Sequence, residues 1–128
     1  MSRKIIVSSI IVICLSVVVY RIYAFSQVRN VLNDFEAAIH GEEIENEVNR
    51  EHLEFRYYPR NDYYTTYVKC DNVLLFGDKA RLYMFVDGII VLREDDGTIK
   101  TENMPDYFTV DLEKKNGEWV IKKVNFIP

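Results

Sequence analysis

Two hydrophobic patterns divide the chain. Over residues 5–20 thirteen of sixteen positions are apolar, and the exceptions are Ser8, Ser9 and Ser16. A serine hydroxyl can bond back to its own helix, so none forbids burial in lipid. Sixteen helical residues span about 24 Å, and extension through residues 22–25 gives about 31 Å, the depth of a hydrocarbon core. Arg21 is placed to snorkel to the headgroups, and Tyr20 and Tyr23 suit the interfacial belt. The segment is read as a retained anchor. Its alternative is a secretory signal, with Arg3 and Lys4 as the basic start and cleavage at Ala24-Phe25-Ser26. Residues 1–25 therefore form the membrane segment and residues 26–128 the domain beyond it.

After this segment the apolar period changes to 3.6. Val28, Val31, Leu32, Phe35, Ala38 and Ile39 share one helix face, which predicts a helix over residues 26–40 running on from the anchor and stopped by Gly41. Ile44 and Val48 extend a weaker amphipathic stretch, read as a second short helix over residues 42–51. Pro59 and Asn61-Asp62 break the pattern, and residues 55–62 are read as a loop.

From Tyr63 onward the period is two. Residues 63–75 are rich in Tyr, Thr and Val, and Gly77-Asp78 makes a turn. In the strand over residues 79–92, Ala80, Leu82, Met84 and Val86 alternate with Lys79, Arg81, Tyr83, Phe85 and Asp87. Gly88 interrupts, which suggests a bulge or bend there. Asp95-Asp96-Gly97 is a turn, and after Pro105 a strand over residues 107–112 points Phe108, Val110 and Leu112 inward. Lys114-Lys115-Asn116-Gly117 signals a hairpin. The closing strand switches phase from Trp119 and Ile121 to Val124 and Phe126, so a bulge is expected near Lys122-Lys123. The fold class is α+β: one or two helices packed on a curved antiparallel sheet of about four strands.

Charge adds location. Residues 1–26 carry +3 from Arg3, Lys4 and Arg21, and the remainder of a chain with net charge −4 carries −7. A basic N-terminus favours the cytoplasmic side, so the domain is expected outside. An acidic domain repels phosphate, which argues against nucleic acid and against anionic lipid. Cys14 lies in the apolar run and Cys70 in the domain, so no disulfide framework holds the fold, and Cys70 reads as a buried apolar residue.

The order of elements resembles the nuclear transport factor 2-like superfamily, also called cystatin-like or SnoaL-like cones. Three stretches carry the resemblance: FEAAIHGEEIE, FGDKARLYMFV and YFTVDLEKKNGEWVIKKVNF. Together they span about residues 27–127. The resemblance implies a bent sheet around helices that leaves a cone-shaped pocket. It also implies a choice between isomerase or cyclase chemistry and a binding or assembly role. The inner-membrane subunits of type IV secretion systems share the layout of one anchor and a cone-like domain.

Chemistry in such a cone needs a carboxylate or His inside it and a phenol or second acid nearby. Asp87 is the candidate carboxylate, with Tyr57, Tyr58, Tyr64 and Tyr83 as candidate phenols, but alternation puts Asp87 on the outer face with Lys79 and Arg81. His40 and His52 belong to no metal-spaced set. No catalytic, cofactor-binding or metal residue is assigned. The tyrosines at 57, 58, 63, 64 and 67 are strand residues or a recognition surface. Lys114, Lys115, Lys122 and Lys123 solvate the last turn and guard an edge strand.

The expectation is a membrane-tethered, extracytoplasmic, non-enzymatic binding or assembly module. Its partners would be the bilayer and a protein, with no cofactor. The alternatives are a small-molecule-binding or isomerase/cyclase-like cone, and a secreted domain.

Overall fold

A computed structural model describes residues 2–126, apart from the side chains of Phe55 and Arg56. Three helices precede four strands: α1 (Arg3–Gln27), α2 (Arg29–Ile39), α3 (Glu47–Tyr57), β1 (Tyr63–Phe76), β2 (Lys79–Arg93), β3 (Ile99–Lys115) and β4 (Glu118–Phe126). The strands form one antiparallel meander in the order β1-β2-β3-β4, an open sheet with helices on one face.

α1 is long and apolar enough to cross a membrane or to serve as a signal sequence. Its 25 residues rise about 37 Å. The apolar side chains between Ile5 and Val19 are exposed. Ser9 and Ser16 donate to the carbonyls four residues back, so their hydroxyls are satisfied within the helix. The helix does not stop at residue 25. Ala24 is buried among the domain's apolar residues, and Phe25 packs against them.

Only Val28, a turn residue, separates α1 from α2, so the second helix is shorter than expected and begins at Arg29. Its end matches the expected stop. Gly41 adopts φ +69, its N–H donates to the Ala38 carbonyl and that of Glu42 to Ala37. This paired closure satisfies two terminal carbonyls and needs the left-handed conformation that glycine adopts without penalty.

α3 corrects the expected second helix over residues 42–51. It starts five residues later, because residues 42–46 form the linker and Asn46 is the cap that accepts the Asn49 amide at 3.0 Å. It also runs through the first part of the expected loop. Tyr57 on its last turn enters the core beside Phe35 and Phe108.

The inward rows are those read from alternation: Ala80, Leu82, Met84 and Val86 on β2, and Phe108, Val110 and Leu112 on β3, all buried. The sheet departs from expectation in two places. β2 carries no bulge at Gly88, since its register with β3 is continuous there. The irregularity lies on the neighbouring strand, where Thr66 and Asp71 are extra residues in β1. Gly88 is instead needed for packing: a Cβ there would come within 2.7 Å of the Tyr63 hydroxyl. β3 also begins at Ile99 and passes through Pro105, well before the expected residue 107. Among the described residues β4 pairs with β3 from Phe108 onward, so Pro105 lies beyond that ladder, where no donor to β4 is required. The bulge expected near Lys122-Lys123 is present, with Lys122 as the extra residue between Ile121 and Lys123.

Candidate functional site: the outer face of the sheet

The core of the domain is aromatic at its centre. Phe35, Tyr57 and Phe108 meet in the core with ring centroids 5.6–6.1 Å apart. Asn49, fully buried, ties three elements together. Its Nδ2 donates to Asp34 Oδ2 at 2.7 Å on α2, and its Oδ1 accepts the Ile121 amide at 2.7 Å on β4. Burial pushes the Asp34 carboxyl above its usual value, the Asn49 bond opposes the shift, and Glu118 and Glu45 add to it. Beyond this core, a concavity of about 510 Å³ opens at the mouth, lined by Tyr57, Arg60, Tyr63, Met104, Asp106 and Phe126 among others.

The sequence-selected residues do not converge in that mouth. Val86 and Gly88 face the core, so Asp87 between them faces outward. Of the candidate phenols, Tyr57 is in the core and Tyr58 donates to the Glu42 carbonyl at 2.6 Å. Tyr64 pairs with Ile89 and Tyr83 with Asn72, both on the outer face. The tyrosine cluster is likewise dispersed, with Tyr63 packed on Gly88 and Tyr67 exposed outside. Exposed His40 lies 3.7 Å from Glu36 on the same helix face. Among the described residues no three His, Cys, Asp or Glu side chains are grouped to hold a metal.

What the sheet does assemble is on its outer face. Tyr67 on β1, Phe85 on β2 and Tyr107 on β3 form a row across three strands, with centroids 6.3 and 4.8 Å apart. Tyr67 is 50% and Tyr107 58% exposed. Beside the row, Asp87 stands between Tyr67 and Pro105 in register, and its Oδ1 is buried with no hydrogen-bond partner among the described residues. Such an acceptor is costly to leave unmet, and the aromatic row is apolar surface held in water. Tyrosine is the side chain most suited to this position, because its ring packs while its hydroxyl stays wet.

The sequence reading missed Phe85 and Tyr107 as site residues. Phe85 alternates with the inward row of β2 and Tyr107 precedes the inward Phe108, so the signal available was an aromatic at an outward position in each of three strands. Their lateral alignment depends on register, and the Thr66 bulge in β1 shifts that register.

Arg21 lies where α1 meets the domain. Its Nη2 donates to the Asp71 carbonyl at 3.1 Å and its guanidinium lies 5.7 Å from the Phe25 ring centroid. Asp71 is the bulged residue, so its carbonyl is free of the ladder and open to this donor. One helical position earlier, the Tyr20 hydroxyl accepts the Leu75 amide at 3.2 Å. Together the two contacts cap the free edge of β1 at Asp71 and Leu75.

Fold and site together describe an α+β domain behind one apolar helix, with an aromatic core and an aromatic outer face. No family model, curated protein or solved structure matches the chain.

Proposed function

We propose that this chain is a membrane-tethered, non-enzymatic module whose domain lies outside the cytoplasm and binds a protein through the Tyr67–Phe85–Tyr107 row. The observation that carries the reading is that row, exposed and adjacent to the unpartnered Asp87 oxygen. The partner chemistry that suits both is a segment presenting an arginine or lysine. Its cation would lie over the rings, drawn there also by the negative charge of the neighbouring Asp87 carboxylate. Retention of α1 is supported by the burial of Ala24 and by the bonds from β1 to Tyr20 and Arg21. Cleavage after Ser26 would remove part of the core. The antiparallel sheet with helices on one face is compatible with the cone-like resemblance.

The test is affinity capture with the full-length chain. A partner retained by the wild type is expected to be lost in Tyr67→Ala/Tyr107→Ala and kept in Arg29→Ala, which alters an exposed residue on α2. Equal capture by all three would sink the assignment of this face.

The concavity at the mouth favours the second reading, a small-molecule or isomerase/cyclase-like site, because Arg60 and Asp106 accompany aromatic walls there. Met104→Trp fills that mouth. Capture that survives Met104→Trp supports the outer face, and capture abolished by it supports the pocket.

A further inference from the structure

The contacts between α1 and β1 orient the domain on the bilayer. Tyr20 meets Leu75 and Arg21 meets Asp71, so the strand descends as the helix ascends. The β1–β2 turn therefore points back toward the lipid. Tyr20 is the last residue of the apolar run, and Phe76 follows its partner Leu75 directly. Phe76 thus lies at the level where the apolar run ends, and it is 61% exposed.

This end of the sheet has an unusual charge for the molecule. A depression of about 500 Å³ on the outer face is bordered by Phe76, Lys79, Arg81, Asp111, Lys122 and Lys123. Lys79, Arg81, Lys122 and Lys123 share this end of the face with Asp111 and Glu113 in register and with exposed Asp78 in the β1–β2 turn, so four cations meet three carboxylates. One of those carboxylates is already committed: Asp111 accepts from Arg81 at 2.8 Å and from Asn125 at 3.0 Å. Residues 27–128 as a whole carry −7. The positive excess is therefore local, and the repulsion of anionic lipid expected from net charge does not describe this rim.

We propose that this depression binds the phosphate of an anionic phospholipid headgroup, with Lys79, Lys122 and Lys123 as the cations and Phe76 inserted beside the acyl boundary. The three lysines are exposed and carry no ion pair among the described residues. An exposed phenylalanine at this depth is stabilised by the apolar interface, and lysines near anionic lipid each contribute about fivefold in affinity. The consequence is a domain seated on the bilayer by two attachments, the helix and the rim. The aromatic row, farther along the same outer face, is then held at a fixed height.

The proposal rests on α1 spanning the membrane. Carbonate extraction of the native full-length chain tests that premise separately, since release into the soluble fraction would sink the tether. The rim is tested by native mass spectrometry of the full-length chain from micelles doped with phosphatidylglycerol or phosphatidylcholine. Selective retention of phosphatidylglycerol is expected, reduced about a hundredfold in Lys79→Ala/Lys122→Ala/Lys123→Ala. The corresponding triple arginine variant is expected to retain it, which separates charge loss from misfolding. Equal retention of the two lipids, or unchanged retention in the alanine variant, would overturn the site. Inorganic phosphate displacing the lipid at equal concentration would overturn the lipid assignment in favour of free phosphate.

Discussion

Asn49 on α3 accepts the backbone amide of Ile121 on β4 through its side-chain oxygen at 2.7 Å, across 72 positions of sequence. The same side chain donates to Asp34 on α2. One fully buried amide therefore fixes the separation of both domain helices from the edge strand. Truncation would leave the Ile121 N–H and an Asp34 oxygen without their partner in a dry site. Asn49→Ala is expected to cost about 2–4 kcal/mol, read from urea unfolding of the full-length chain in micelles followed at Trp119. A loss below about 0.5 kcal/mol would show that water replaces the bond.

Asp34 and Asp111 predict opposite pH behaviour. Asp34 is held above its usual value by burial, so its favourable contribution is present below the ordinary carboxylate value and is lost as pH rises through its raised pKa. Asp34→Asn keeps an acceptor for Asn49 and is expected to raise Tm at neutral pH, with the gain vanishing as pH falls below the ordinary carboxylate value.

Asp111 is held below its usual value, first by the Arg81 hydrogen bond, so its contribution is present above the ordinary value and lost as pH falls through the lowered pKa. The pair is partly exposed, and Asp111→Asn is expected to cost only about 0.5 kcal/mol at neutral pH. Thermal scans of both variants across pH check the two signs, and parallel curves for the variants would contradict them.

Gly88 and the Tyr63 ring occupy one space. Gly88→Ala forces the ring away from β2 and is expected to cost about 1–3 kcal/mol. In a Tyr63→Ser background the added methyl has room, so the same substitution should become nearly neutral. Additive losses in the double variant would refute the close contact.

Burial pushes the Cys70 thiol up to about 11, and the Asn72 carbonyl takes its S–H at 3.3 Å. At about pH 8 its thiolate fraction is expected to be roughly a hundredfold below that of an unperturbed thiol. In a Cys14→Ser chain, alkylation by iodoacetamide should be slow at that pH and accelerate only in strong alkali. Rapid modification at neutral pH would show that Cys70 is more open than its surroundings imply.

Much of the architecture is written in local pattern. The apolar run of α1, the stop at Gly41, the inward rows of β2 and β3 and the bulge at Lys122 follow from periodicity and turn chemistry. Each depends on a residue and its immediate neighbours, whose preferences survive any tertiary arrangement. The same logic misplaced α3, because Ile44 continues an apolar spacing while being buried from a linker. It also placed the bulge on β2, since a glycine in a strand reports only that space is short.

The candidate sites belong to the other category. Tyr67, Phe85 and Tyr107 become one surface through strand register, and the Thr66 bulge sets that register by an extra residue no pattern in β1 announces. Tyr20 and Leu75 are 55 positions apart, and Asn49 and Ile121 are 72. Sequence fixes which faces are apolar, because burial of one face is a local demand. Only the folded chain decides which distant groups satisfy each other's hydrogen bonds, because those pairings depend on how complete elements dock.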